Sequence, residues 1–179
     1  MREIPLTKGY IALVDDEDYE RVSAFKWTAL VAKRKDRTVV YGRHYPKRDG
    51  KPQMIILLHR FIIDAPKGMD VDHRDGNGLH CWRTNLRVAT RSQNLANNRH
   101  LIGASGFRGV FIHPKWKPRA RISVGNKTKY IGSFPTIEDA ARAYDHAAIQ
   151  EYGEFARLNF PHEHGHAAPT AGNMVNGKQ

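Results

Sequence analysis

The spacing of apolar positions changes character along the chain. IPLTKGYIALV (4–14) alternates around Lys8-Gly9, which predicts two short strands joined by a turn. DDEDYERVSAF (15–25) predicts a short helix whose acidic first turn complements the helix dipole. KWTALVAKRKDRTVVYGRHYP (26–46) predicts a hairpin with a basic tip, Lys33 to Arg37, which is either a solvated turn or a phosphate contact. IILLHRFIID (55–64) is nearly continuously apolar and stops at Asp64-Ala65-Pro66, so a buried helix is expected. His59 on that helix is expected as a packed or hydrogen-bonded histidine. Residues 69–90 predict strand, Gly-rich turn, loop and strand, and TRSQNLANNR (90–99) a short polar helix with Thr90 or Ser92 as N-cap.

The pattern changes after the small-residue stretch HLIGASG (100–106). RGVFIHP, PRARISVG and TKYIGSF alternate as three antiparallel strands, with Val124-Gly125-Asn126-Lys127 as a tight turn. One face carries Phe111, His113, Arg119, Arg121, Ser123, Thr128 and Tyr130. The other carries Val110, Ile112, Ala120, Ile122, Val124 and Ile131, and is expected to face a helix. Lys127 and Lys129 do not fit the apolar face and are expected at an edge that reaches phosphates. TIEDAARAYDHAAIQEYG (136–153) predicts that helix, with Thr136 and Asp139 as a capping box and Gly153 as the stop. Its Ile137, Ala140, Ala141, Tyr144 and Ala148 form one stripe. From His162 the chain is expected to be disordered, with His162, His164 and His166 solvated rather than gathered on a metal.

Composition narrows the function. No apolar run approaches the roughly 18 residues of a membrane span, and MREIPLTKGY lacks the layout of a signal peptide. The single Cys81 rules out an internal disulfide and any multi-cysteine zinc ribbon. The expectation is a soluble, cytoplasmic protein. Net charge is +11 in 179 residues, and its distribution is uneven. Gly76 to Ile137 holds eleven Arg or Lys and no Asp or Glu, where the overall frequency of 18 in 179 predicts about six. Solubility does not require that exclusion. A polyanionic partner, nucleic acid, explains it.

Chemistry concentrates in DVDHRDGNGLHCWRTNLRVATRSQN (70–94). Hydrolysis of a phosphodiester needs a deprotonated water, neutralised phosphoryl oxygens and a stabilised leaving alkoxide. An imidazole such as His73 supplies the first and a divalent cation the others. Hard cations prefer oxygen ligands, which Asp72 and Asn94 offer. Strand neighbours 72 and 73 point to opposite faces, so the pair needs a bulge, a twist or a site reached from both sides. Asp75, His80 and Asn98 remain unranked polar alternatives.

The blocks "LHRFI", "VDHRDGN", "TNLR" and "RSQN" resemble the HNH endonucleases of the ββα-metal fold, in particular the phage and intron-encoded homing type. The resemblance implies His73 as general base and Asp72 and Asn94 as ligands of one Mg2+ or Mn2+. It implies Asn85 as a brace of the loop that orients His73. Asn94 stands where other members carry a third histidine, making an H-N-N variant. Further along, "GFRGV", "RARI", "YIGSF", "EDAARAYDHAA" and "GEFARLNFP" resemble the AP2/ERF DNA-binding domain, which reads the major groove with a three-stranded sheet on one helix. That resemblance implies the face carrying Phe111 to Tyr130 as the DNA-contacting one and adds Arg108 to it. Phe111, Arg121, Ser123 and Thr128 depart from the Arg, Glu, Arg and Arg typical of plant members, so the plant GCC-type target is not transferred.

Together these give an α+β protein with an HNH nuclease domain over 1–100 (its ββα motif at 69–99) and a linker at 101–106. An AP2/ERF domain over 107–161 and the tail 162–179 complete the chain. The expected activity is metal-dependent cleavage of double-stranded DNA in a bacterial or phage-infected cell, with no obligate protein partner and no membrane. The expected form is a monomer that nicks one strand first. The alternative is a DNA-binding regulator with an inactive HNH unit. An RNA-binding role has no RNA motif behind it.

Overall fold

The Lys8-Gly9 turn forms where the alternation places it. A computed structural model describes residues 1–33, 38–48, 51–52, 54–97, 102–125 and 127–165. In it β1 (Arg2–Pro5) and β2 (Ile11–Val14) pair antiparallel around a 3-10 turn. Lys8 and Gly9 there take φ of 64° and 73°. α1 (Asp16–Ser23) carries Asp16, Glu17 and Asp18 in its first turn, and β3 (Thr28–Lys33) and β4 (Thr38–His44) form the expected hairpin. Residues 34–37 of its basic tip lie outside the described residues. β5 (Lys47–Arg48) and β6 (Lys51–Pro52) make a minimal ladder.

The apolar run 55–64 is a strand and then a helix. Ile56–Leu57 is β7, pairing with His44 and Arg43 of β4, and only Leu58–Ile63 is helical, as α2. Unbroken apolar sequence does not distinguish a buried strand from a buried helix, and the open edge of β4 decides for the strand. α2 ends at Asp64 in the left-handed region, φ 46°. Arg60 then folds the connection back by donating to the carbonyls of Ala65, Pro66 and Met69 at 3.1, 3.0 and 2.6 Å. β8 (Asp70–His73), β9 (Leu86–Ala89) and α3 (Arg91–Ala96) follow as strand, strand and helix. Ile4, Val14, Val22, Trp27, Leu58, Ile62, Val71 and Leu86 form the core beneath them.

The loop between β8 and β9 is long but tied down. Leu13 of β2 donates to Leu79 O and accepts from Cys81 N, both at 2.8 Å. Gly78 lies flat on β4, where a Cβ would meet Val40 O at 2.4 Å and the Tyr41 ring at 2.5 Å. No larger residue fits there without moving the hairpin.

The chain divides into units Met1–Asn94 and Leu95–Gln179, the boundary falling inside α3. In the second, β10 (Val110–His113), β11 (Trp116–Val124) and β12 (Lys127–Ser133) form an antiparallel sheet in that order. α4 (Ile137–Tyr152) packs on it. Thr136 Oγ1 accepts from Asp139 N at 3.0 Å, and Gly153 (φ 53°) ends the helix. Ala140, Ala141, Tyr144 and Ala148 are buried on the expected stripe. Both units mix helices with antiparallel sheet, the α+β class. No described helix is long and apolar enough to cross a membrane.

Two expectations for this unit are corrected, those for Ile112 and for His162 and His164. Ile112 is 45% exposed, because the β10–β11 register shifts between Phe111 and His113 and turns it away from α4. Lys129 lies on β12 at the edge of the sheet, as expected, and is bound there by Glu151 of α4. His162 and His164 belong to an ordered 3-10 turn, Pro161–His164, held by Arg142 Nε on Glu163 Oε2 at 3.0 Å. Asn126 and the tail from His166 onward lie outside the described residues.

Candidate functional site

β8 and β9 pair without a register shift: Asp70 opposite Ala89, Val71 opposite Val88, Asp72 opposite Arg87, His73 opposite Leu86. In a regular ladder side chains alternate, so Asp70 and Asp72 share one face and His73 takes the other. No bulge in this ladder brings positions 72 and 73 to the same side.

His73 is 6% exposed. Its ring meets that of His59 edge-on at 5.0 Å and lies 5.9 Å from Tyr41, and its Nε2 is 4.0 Å from Cys81 Sγ. Burial pushes the His73 pKa from 6.5 down to about 4, although the charges of Asp75 and Asp72 act upward. The imidazole is therefore neutral at neutral pH. His59 is equally enclosed, and burial takes it down to about 3, with His73 and Arg60 adding to the effect. It is a packed histidine, and its Nδ1 has no hydrogen-bond partner among the described residues. Burial also drives the Cys81 thiol up to about 12.

On the opposite face Arg87 grips Asp72, Nε at 3.0 Å from Oδ2 with Nη2 on the same oxygen. Both side chains are buried, so each charge depends on the other. Asn94 reaches β8 from α3, donating from Nδ2 to Asp70 Oδ2 at 2.9 Å. This hydrogen bond, opposed by burial and reinforced by Arg91, holds the Asp70 carboxyl below its ordinary pKa. α3 is started by a reciprocal cap: Thr90 Oγ1 accepts from Gln93 N at 3.3 Å, and Gln93 Oε1 accepts from Thr90 N at 2.8 Å.

Asn85 occupies the middle of the loop. Its Oδ1 accepts from Asp75 N at 3.1 Å, and its Nδ2 donates to Asp75 Oδ1 at 3.0 Å and His80 O at 2.8 Å. Asp75 also binds His80 Nδ1, at 2.5 Å. Burial resists ionisation of Asp75, but hydrogen bonds from Asn77, His80 and Asn85 outweigh it and lower the pKa. Asp75 and His80 thus stitch the loop, while Asn98 lies outside the described residues. Gly76 (φ 72°) makes the sharp turn, donating to His73 O at 2.8 Å.

Oxygen donors that suit a hard cation are present: the Asp72 carboxylate on β8 and the Asn94 amide of α3, which is tied to the same strand through Asp70. Asp15, Glu17 and Asp18 also bring carboxylate oxygens within 4.8 Å of one another. Arg83 and Arg21 already bind that group, Arg83 Nε at 2.6 Å from Glu17 and 2.8 Å from Asp18.

The second unit gathers the other candidate residues on one sheet face. Phe111 is paired with Arg119, Arg121 with Tyr130 and Ser123 with Thr128 across the ladders, and all are exposed, as is His113. The Arg121 guanidinium sits 3.2 Å above the Phe111 ring, and Arg119 4.5 Å above Trp116, which stacks on His113 at 4.1 Å. Arg108 departs from the set. It is 4% exposed and hydrogen-bonded to Tyr144, its backbone drawn inward by Asn159 Oδ1 at 2.7 Å. Sequence reasoning missed Asp70, Arg87 and Trp116. The hairpin register would have set Arg87 opposite Asp72, and Trp116 stands between Lys115 and Lys117 in the acid-free span.

A family model described as HNH endonuclease matches residues 64–96. An uncharacterized HNH endonuclease of Acanthamoeba polyphaga mimivirus is 30% identical over 154 residues, covering 85% of this chain and 76% of its own length. The APETALA2-like protein 2 of Oryza sativa is 45% identical over 75 residues, 40% of this chain and 17% of that protein. The AP2-like ethylene-responsive transcription factor ANT of Arabidopsis thaliana is 48% identical over 61 residues, 32% of this chain and 11% of that protein. These plant similarities support an AP2-like domain, and the chain spans less than a fifth of either plant protein.

Proposed function

The chain belongs to the HNH endonucleases, and from that premise we propose that it is a metal-dependent DNA endonuclease whose AP2-like domain chooses the target. One observation carries the reading. Asp72 and His73 are consecutive on β8, and α3 fixes Asn94 to the same strand through Asp70. We read β8, β9 and α3 as the ββα-metal unit, with Asp72 and Asn94 as holders of Mg2+ or Mn2+. The bound cation would neutralise the phosphoryl oxygens and stabilise the departing alkoxide.

The chain's own groups supply the rest. His73, neutral at pH 7 and on the other face of β8 from Asp72, takes the proton of the attacking water, so the site is one reached from both sides of the strand. Asn85 keeps the loop after His73 in shape through Asp75 and His80. The exposed face of β10–β12 meets duplex DNA, with Phe111, His113, Trp116, Arg119, Arg121, Ser123, Thr128 and Tyr130 as its contact set. Arg108 supports that sheet from beneath. One His73 centre is in line with one phosphate at a time, so a monomer nicks first.

A second reading is a DNA-binding regulator with a silent nuclease unit. It is favoured by the Arg87 grip on Asp72 and by the burial of His73. Supercoiled plasmid incubated with Mg2+ or with EDTA separates the two. Open circles with Mg2+ alone, accumulating before linear DNA, are expected. Tight binding with no open circles under either condition would establish the regulator instead.

A further inference from the structure

The two ends of an amide side chain are nearly alike in shape and opposite in use. Its oxygen can hold a hard cation, whereas its NH2 group can only donate hydrogen bonds. At Asn94 that choice is made by a neighbour. An ionised carboxylate can only accept, and Asp70 Oδ2 takes Asn94 Nδ2 at 2.9 Å, so the oxygen is the end left over. Among the described residues no donor is directed to that oxygen. Asp70 is itself held, by Arg91 Nη1 at 3.2 Å, and stands two residues before Asp72 on the same face of β8.

We propose that Asp70 is a positioning residue for the metal site, fixing the Asn94 amide so that its oxygen is presented to the cation that Asp72 binds. The inference rests on the reading of Asn94 as a ligand. It gives the H-N-N arrangement a requirement that a carboxylate at 94, with oxygen at both ends, would lack. An amide that turns over loses its ligand altogether and puts N–H groups toward the cation. Groups that orient a ligand in this way typically change metal affinity by about 10–100-fold.

The test is Mn2+ binding to the full chain without DNA, followed by electron paramagnetic resonance of the free ion, so that no cleavage is needed. Asp70→Ala should weaken Mn2+ about 10-fold or more. Cleavage by that variant should return to the wild-type rate at saturating Mn2+. In an Asn94→Asp background both ends of the side chain are oxygen, and Asp70→Ala should then weaken nothing. Equal weakening in both backgrounds would make Asp70 a direct ligand and overturn the proposal. Wild-type affinity in Asp70→Ala would overturn it too, while leaving Asn94 as a ligand. Should Asn94→Ala bind Mn2+ as tightly as wild type, the underlying reading falls and the inference with it. Asp70→Asn, nearly isosteric, repeats the measurement without opening a cavity and should give a smaller weakening of the same sign.

Discussion

The two units place their candidate functional groups differently. In Met1–Asn94 buried polar side chains are held by neighbours: Asp72 by Arg87, Asn85 by Asp75 and His80, and Asp18 by the exposed Arg21 and Arg83. In the unit from Leu95 onward the interior is mostly small and apolar, with Ala120, Ala140, Ala141 and Ala148 almost fully buried. There Arg119 and Arg121 lie outside, each over an aromatic ring, while Arg108 is buried against Tyr144. A group that must act on one bond is useful only when its neighbours fix it, and buried hydrogen bonds do that. A group that reads a long polymer must stay outside. Its stiffness comes from a ring beneath it, which costs no burial of charge.

The contrast can be broken most severely at His73. His73→Ala should lower the cleavage rate by about 10²–10⁴ and leave DNA affinity intact, since the base is buried in one unit and the proposed binding face belongs to the other. Plasmid nicking and electrophoretic mobility shift measured on the same preparation check this. A parallel loss of binding would mean that the division of labour is wrong.

Arg87→Met tests whether the buried network is interdependent. It leaves Asp72 charged, enclosed and without its main partner, which should cost about 3–5 kcal/mol in urea denaturation. A loss under 1 kcal/mol would show that Asp72 is not committed to Arg87.

His59 sharpens the comparison through pH. Its folded pKa, about 3, lies below the ordinary 6.5, so the unfolded chain binds the proton first as acid is added. This contribution to stability is complete above pH 6.5 and is lost as the pH falls toward 3, at up to about 1.4 kcal/mol per pH unit. His59→Phe should flatten the acid side of the stability profile and raise stability at pH 5. An unchanged slope would show that His59 is protonated in the folded protein.

The smallest effect is the most selective. Arg121→Ala should cost about 1–3 kcal/mol on the preferred duplex and much less on unrelated DNA. Lys115→Ala should weaken every duplex alike and reduce the salt dependence by about one released counterion. If Arg121→Ala also weakens every duplex equally, Arg121 belongs with the backbone contacts.

Much of the fold was legible because local signals agreed. The caps at Thr90 and Thr136, the alternation of β11 and the alanine stripe of α4 each fix an element without long-range help. What failed depended on distant partners. Ile56-Leu57 became a strand because β4 offered an edge, and Ile112 turned outward because of a register shift that no single strand encodes. In the candidate site, residue chemistry pointed to Asp72, His73 and Asn94, and the family resemblance added Asn85. They could not reveal that Arg87 would hold Asp72 or that Asp70 would receive the Asn94 amide. Both depend on how a loop of twelve intervening residues (74–85) sets one strand against the next.

The sealed thiol of Cys81 has a practical consequence. It is the chain's single cysteine, fully enclosed, with its pKa raised to about 12. Thiolate is the nucleophile, so an alkylating reagent finds almost nothing to react with in the closed protein. Labelling then proceeds only through openings of the Met1–Asn94 unit. Because the sulfur lies 4.0 Å from His73 Nε2, those openings uncover the imidazole as well. The rate of iodoacetamide incorporation, followed by mass spectrometry, thus times how often the proposed general base meets solvent, and comparing it with and without DNA tells whether substrate changes that frequency.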